Sequence, residues 1–230
     1  MTTWPIVMLT WLDRRLRLVA EEGRQPISSM ASTLGAVQPR IRASCVARNG
    51  CCVPFPGEQR SGKTTAAIAM ARGGWQCLTD DLVFLYRGPG RDCVSALGWQ
   101  ECLNVGELTL DAFGLRAQAA GLRSDGRFTV DPSSAVAPAP DGVYSPSVMV
   151  LTQITEDGAS NLRPISRGRA LARIIRHSPL VLVTGVRAEE HLTVLHDLVA
   201  QCRCYELRAG HDVLEGVLPG LIVAALEDLG

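Results

Sequence analysis

The run Pro56 to Thr65, PGEQRSGKTT, contains the chain's only lysine, Lys63; every other basic residue is arginine. It satisfies the pattern G-x-x-x-x-G-K-[ST], with Gly57, Gly62, Lys63 and Thr64 at the fixed positions and Glu58, Gln59, Arg60 and Ser61 between them. Residue types at this spacing can hold phosphate. Glycines let the backbone curl until successive N–H groups face one anion. A helix starting near Lys63 and running through Thr65 adds the positive end of its dipole. The lysine supplies a compact, mobile ammonium that arginine's planar fork does not imitate, and the Thr64 hydroxyl can face Mg²⁺. A single lysine kept at this place is what a requirement for an ammonium predicts. Asp80 and Asp81 form the second chemical signal, one short helix further on between two apolar runs. A carboxylate at a strand end beside a phosphate loop can hold Mg²⁺, and a second can take the proton of an attacking hydroxyl.

The elements that must position these groups can be read locally. IRASCVA and CCVPF alternate around Asn49-Gly50, a dipeptide suited to a type I′ turn, so residues 41–47 and 51–55 are expected to pair as a hairpin. KTTAAIAMAR is a short helix of good formers ended by Gly73-Gly74. WQCLTDDLVFLY is a strand broken or bent at the two aspartates, and RGPGRD is a turn. A strand and then a short helix near Leu108–Leu115 are expected within 93–115. Glycine, proline and aspartate dominate from Ala117 to Ser145, with one strand at Arg127–Val130. Further on, PSVMVLTQI is a buried strand, Ser166 caps the helix SRGRALARIIRH, and AEEHLTVLHDLVAQC is an amphipathic helix. RCYELRA is a strand, and the final helical region is interrupted near Pro219-Gly220. Residues 4–22 read as a helix with Ile6, Leu9, Leu12, Leu16 and Val19 on one side, followed by a polar linker to Arg40. The division is therefore residues 1–40, helix and linker, and 41–230, one domain.

At 230 residues with 47% hydrophobic content the chain can bury a sizeable core. Its formal net charge is zero, which argues against nucleic acid or an anionic membrane as the main partner. The apolar run before Asp13 is too short to span a bilayer. The eight cysteines form no C-x-x-C and have no histidine at metal spacing, so they read as reduced, mostly buried thiols of a cytoplasmic protein.

Over residues 41–86 the string ASCVARNGCCVPFPGEQRSGKTTAAIAMARGGWQCLTDDLVFL resembles the catalytic domain of the HPr kinase/phosphorylase family, with weaker likeness through ECLNVGELTLDAFGL and the terminal helices. The resemblance implies an α/β fold with a mixed sheet, of the phosphoenolpyruvate-carboxykinase-like P-loop type. It also implies ATP, Mg²⁺ and phosphoryl transfer to a serine hydroxyl of a peptide or small protein. Residues 57–65 would carry the nucleotide; Lys63, Asp80 and Asp81 would be catalytic; Thr64 and Asp81 would hold the metal, although the resemblance leaves the two aspartates' roles open, the one nearer the acceptor serine being the base. Stand-alone relatives of this size phosphorylate the C-terminal serine of ribosomally made precursor peptides, including lasso peptides. The sequence lacks the N-terminal domain of the bifunctional enzymes, which points to that branch. Family members form hexamers, so a homo-oligomer is a further expectation.

Two departures stand out. Arg42 replaces the family's histidine in HAS, and Gln59-Arg60 replaces a pair of small residues. Arginine cannot shuttle a proton at neutral pH but can pair with an aspartate or a transferring phosphate, so kinase chemistry is expected and the reverse reaction is not. Glu101 falls roughly where the family has a metal-proximal glutamate. Arg167, Arg169 and Arg173 read as a solvated helix face or an acidic-partner site; His177, His191, His196 and His211 read as structural or exposed; Ser44 has no base to make it a nucleophile. The rival functions are a nucleotide-binding regulatory or assembly protein without kinase activity, and a kinase of a phosphocarrier protein or a small molecule.

Overall fold

A computed structural model of the chain describes residues 39–87, 93–98, 102–140, 142–156, 158–178 and 188–227. The helix expected over 4–22, most of the turn RGPGRD and Glu101 lie outside the described residues.

Strands β1 (Arg40–Arg48) and β2 (Cys51–Pro56) form the expected hairpin, with Arg48 opposite Cys51. Asn49 and Gly50 sit at φ 52° and 78°, the two positive values a type I′ turn requires. Helix α1 (Lys63–Arg72) follows the loop, and β3 (Gln76–Thr79) and β4 (Leu82–Arg87) return antiparallel along β1. Their registers are in step: Cys45 lies opposite Thr79 and Arg42 opposite Leu82, while Ala43 N–H donates to the Asp81 carbonyl at 3.1 Å. The two are one strand interrupted at Asp80-Asp81, as the sequence suggests. β5 (Val94–Gly98) and β9 (Ser145–Pro146) complete the main sheet in the order β5-β4-β1-β2-β9.

A second sheet has the order β10 (Val148–Ile154), β12 (Arg203–Ala209), β11 (Asn161–Pro164), with β10 and β12 parallel and β11 antiparallel. Helices α4 (Arg167–Arg176), α5 (Ala188–Gln201) and α6 (Leu218–Glu227) lie around it in sequence. The third sheet, β6 (Leu103–Val105), β8 (Phe128–Val130), β7 (Ala119–Leu122), carries α2 (Glu107–Ala112), and α3 (Pro132–Ala135) follows it. The protein is thus mixed α/β with mixed sheets.

Strand alternation sorts β1 between two cores. Ile41, Ala43, Cys45 and Ala47 join Met149 and Leu151 with Ala170 and Ile174 of α4 and Leu195 and Leu198 of α5. Val46, with Val53 and Phe55 of β2, joins Ala66, Ala67, Ala69 and Met70 of α1 and Ile222 of α6. Arg42 and Ser44 share the parity of Val46 and so belong to the α1 side of the sheet. Five consecutive residues of α1, Ala66 to Met70, are buried, as in a helix enclosed all round, with alanines at three of the five positions where neighbours pack close. Ile68 turns to a third cluster with Leu103, Val105, Leu110 and Val130, which seats the small sheet on α1.

Several expectations are corrected. The helix near Leu108–Leu115 is α2, ending at Ala112, with a separate 3₁₀ turn at Arg116–Gln118. The glycine- and proline-rich stretch contains β7, α3 and β9 besides the expected strand. The terminal helical region breaks at Gly216, φ 94°, and not at Pro219-Gly220. Pro219 sits in the first turn of α6, where its missing N–H leaves no bond unmade. Among the described residues no helix is long and apolar enough to cross a membrane, and the eight cysteines are free, Cys45, Cys52, Cys77, Cys202 and Cys204 buried.

Candidate phosphate-binding and phosphoryl-transfer site

The loop between β2 and α1 opens into a cleft of about 830 Å³. Two glycines fix its course. A Cβ on Gly57 would stand 2.2 Å from Ser61 Oγ and 2.8 Å from Thr152 Oγ1, two hydroxyls already 3.0 Å apart. Gly62 turns the chain at φ 93° and is the N-cap of α1. No side chain bonds to that cap, and the helix's first turn has no acidic residue. The leading N–H groups of α1 are therefore left for an anion. Lys63 reaches back across the loop, its Nζ donating to the Glu58 carbonyl at 2.6 Å, which also accepts from Ser61 N–H at 3.2 Å. Burial lowers the Lys63 pKa; Asp80 and Asp81 pull it up, and Arg127 and Arg42 push it down. The ammonium thus shares one electrostatic environment with both aspartates.

Those aspartates sit differently. Asp80 is 8% exposed. Ser44 Oγ donates to its Oδ1 at 2.9 Å and Asn104 N–H to its Oδ2 at 3.2 Å, and the Thr64 hydroxyl faces it. Burial raises its pKa, the bonds from Thr64, Ser44 and Asn104 oppose that rise, and the charge of Asp81 adds to it. Asp81 is exposed and lines the cleft. The Thr64 hydroxyl therefore faces Asp80, while Asp81, the metal ligand expected from the resemblance, lines the cleft beside them.

The cleft has two flanks that sequence spacing does not reveal. On one, Arg60, left-handed at φ 65°, donates to the Asp125 carbonyl at 2.7 Å, tying the loop to the turn between β7 and β8. The Asp125 carboxylate is gripped by Arg127 at 2.7 Å, with Arg123 at 3.7 Å. On the other flank, α4 ends at the cleft. Arg42 N–H donates to the His177 carbonyl at 2.7 Å, and Ser178 Oγ to the Arg40 carbonyl at 3.1 Å, so the end of the helix is stitched to β1. Arg42, Arg176 and His177 line the cleft here. His177, read from sequence as structural or exposed, is buried and lines the cleft. Its pKa is lowered first by burial, then by Lys63, with Glu58 acting the other way and Arg173 and Arg176 adding to the fall. The signal available in sequence was its place just beyond a helix whose start Ser166 fixes; the Ser166 cap is present, its Oγ accepting from Arg169 N–H.

The structure brings together Gly57, Glu58, Gln59, Arg60, Gly62, Lys63, Thr64, Thr65, Asp80 and Asp81 around the cleft. Ser61 stands behind the loop, bonded to Thr152. Arg169 and Arg173 do not join them: both pair with Glu206. Ser44 serves Asp80 and is fully buried.

For Mg²⁺ the chemistry of the donors fits. Among the described residues no three His, Cys, Asp or Glu form a cage, but this ion commonly takes one or two carboxylates and completes its shell with phosphate oxygens and water. Thr64 and Asp80 supply a hydroxyl and a carboxylate to the same wall of the cleft. Beside them Asn104 Oδ1 is buried without a hydrogen-bond partner, an acceptor that a metal-bound water would satisfy.

No known family's sequence profile matches the chain, and no curated protein does. Among solved structures, the chain is similar to the Hpr(Ser) kinase/phosphatase from Coxiella burnetii, at 10% identity and a TM-score of 0.37, over 83% of this chain and 99% of that one. What the cleft can do is therefore taken from its own residues.

Proposed function

We propose that the protein is an ATP- and Mg²⁺-dependent serine kinase, built on a P-loop kinase fold, that phosphorylates a peptide or small protein in the cytoplasm. In its most specific form the acceptor is a ribosomally made, lasso-type precursor peptide. One observation carries the proposal: an uncapped helix N-terminus, a loop-spanning lysine and two aspartates share a single cleft.

The α1 amides and Lys63 hold the triphosphate. Thr64 and Asp80 are the residues that would hold Mg²⁺, which neutralises charge on the β and γ phosphates when bound. This gives the metal to Asp80, locked among donors, in place of Asp81. Asp81, open to the cleft, orients the acceptor serine and receives its proton. The serine Oγ–P bond forms, the bond from γ-phosphorus to the β,γ-bridging oxygen breaks, and ADP leaves. Most of the rate comes from positioning and charge stabilisation.

The test incubates the protein with ATP and Mg²⁺ against serine-containing peptides, a phosphocarrier protein and free serine, with mass spectrometry as the readout. A phosphoserine on a peptide supports the proposal. Phosphate found only on the carrier or the small molecule moves the substrate class. ATP binding with no phosphorylated product supports a nucleotide-dependent regulatory protein instead.

A further inference from the structure

The small sheet brings its own cation to the cleft. Three guanidiniums, those of Arg60, Arg123 and Arg127, converge on Asp125 in the turn between β7 and β8. One carboxylate does not balance them, so this flank of the cleft keeps an excess of positive charge. The three are held differently. Arg60 ties the phosphate loop to the turn, its Nη2 going to the Asp125 carbonyl and not to the carboxylate. Arg123 is exposed and stands off at 3.7 Å. Arg127 is gripped at several points: its backbone N–H donates to Asp125 Oδ1 at 3.2 Å, and Nε and Nη2 both donate to Oδ2, at 3.0 and 2.7 Å. Its side chain is only 25% exposed. That grip occupies one edge of the guanidinium. Among the described residues Nη1 has no hydrogen-bond partner, and Arg127 lines the cleft. Burial does most to lower the Lys63 pKa, and of these three arginines Arg127 is the one whose charge adds to the fall. The gripped guanidinium therefore stands within electrostatic reach of the lysine assigned to the phosphates. A cation set in place before the reaction needs little rearrangement when charge develops.

We infer that Arg127 is a further catalytic residue, its Nη1 edge donating to the transferring γ-phosphoryl group, and that Asp125 is the positioning residue that holds it there; this rests on the kinase function proposed above. As the bond from γ-phosphorus to the β,γ-bridging oxygen breaks and the bond to serine Oγ forms, negative charge moves onto the bridging oxygen and the leaving ADP. The guanidinium donates to these oxygens and keeps all its protons, while the serine proton goes to Asp81. The contact strengthens as that charge grows, so it favours the transition state over bound ATP. Arg127 thus supplies from within the chain the arginine that some phosphoryl-transfer enzymes borrow from a partner.

The experiment uses the full chain with Mg²⁺ and measures three quantities for each variant. They are ATP affinity, affinity for ADP with aluminium fluoride as a mimic of the transferring group, and the single-turnover rate of γ-labelled phosphate transfer to an acceptor that the unaltered protein phosphorylates. Arg127→Ala should slow transfer about a thousandfold or more, the scale of a missing arginine in such reactions. Its affinity for ADP with aluminium fluoride should fall steeply, while ATP affinity stays within about threefold, less than the loss of one charged hydrogen bond. Arg127→Lys should recover little, because an ammonium reproduces neither the fork nor the grip of Asp125. Asp125→Asn keeps the carbonyl that Arg60 uses but loosens the guanidinium; transfer should fall roughly ten- to a hundredfold, the cost of a misplaced reacting group, again with ATP affinity kept. Should Arg127→Ala lose its cooperative thermal melt, Arg127→Gln carries the same prediction. Transfer at the unaltered rate by a folded Arg127 variant overturns the inference and leaves the kinase proposal standing. Equal losses in ATP affinity and in transfer assign Arg127 to holding ATP and overturn it too. Absence of transfer by the unaltered protein to any peptide, carrier protein or small hydroxyl compound removes the kinase proposal, and the inference with it.

Discussion

The floor and the roof of the cleft are built by different means. The floor is the ladder of β1 through β4 with the head of α1: Ser44 and Asp80 are held by backbone register and a buried hydrogen bond, and Lys63 and Thr64 by the first turn of the helix. The roof, β6 to β8 with α2, rests on Ile68 and reaches the loop mainly through side chains: Arg60 to Asp125, and Thr65 Oγ1 to Thr109 Oγ1 at 2.8 Å. A floor of this kind has one arrangement, so a change to it should act nearly all-or-none. A roof tied by exposed arginines should respond by degrees.

Gly57→Ala tests the floor most severely. Its Cβ must displace Ser61 or Thr152, so ATP binding measured by calorimetry should be lost, with a thermal destabilisation of about 1–3 kcal/mol typical of overpacking. A variant that binds ATP normally would show that the loop is as adaptable as the roof. Arg60→Ala is the matching cut on the roof. It removes the bond to Asp125 at an exposed site, so stability should move within about 0.5 kcal/mol while the KM for ATP rises severalfold. Arg60→Gly loses the same bond but relieves the left-handed backbone, and it should melt higher than Arg60→Ala. Equal melting of the two variants would remove strain at φ 65° from the account.

A smaller effect belongs to the seam between β1 and α4. Burial holds the folded pKa of His177 below the ordinary 6.5, with the charges of Lys63, Arg173 and Arg176 adding to the fall and Glu58 opposing it. Below that pH the unfolded chain takes up a proton that the folded protein resists, so stability falls as pH drops from 6.5 toward the folded value and is unaffected above it. His177→Gln should flatten that acid limb in urea melts at a series of pH values. An unchanged limb would mean that His177 titrates as it does in the unfolded chain.

The same contrast governs what could be read from sequence. The floor was legible because its signals are local: Asn49-Gly50 sets the hairpin register, the glycines and lysine set the loop, and the aspartate pair marks the interruption of the returning strand. Of the roof, β8 and α2 were legible, but β7 and the pairing of the three strands were not, because the strands have three or four residues with no periodicity to count. Two contributions to the site depend on tertiary contact alone. Asn104 approaches Asp80 through its backbone N–H, which any residue could supply. His177 arrives only because the end of α4 bonds to β1.

The most direct test separates holding the triphosphate from transferring it. ATP affinity and single-turnover transfer of γ-labelled phosphate to a serine peptide are measured side by side for the unaltered protein, Lys63→Ala and Asp81→Asn. The account predicts that Lys63→Ala loses roughly ten- to a hundredfold in ATP affinity, the scale of a hydrogen bond to a charged group. Asp81→Asn should bind ATP normally and transfer about a hundred- to ten-thousandfold more slowly. Transfer at the unaltered rate by Asp81→Asn, or undiminished ATP binding by Lys63→Ala, would contradict it.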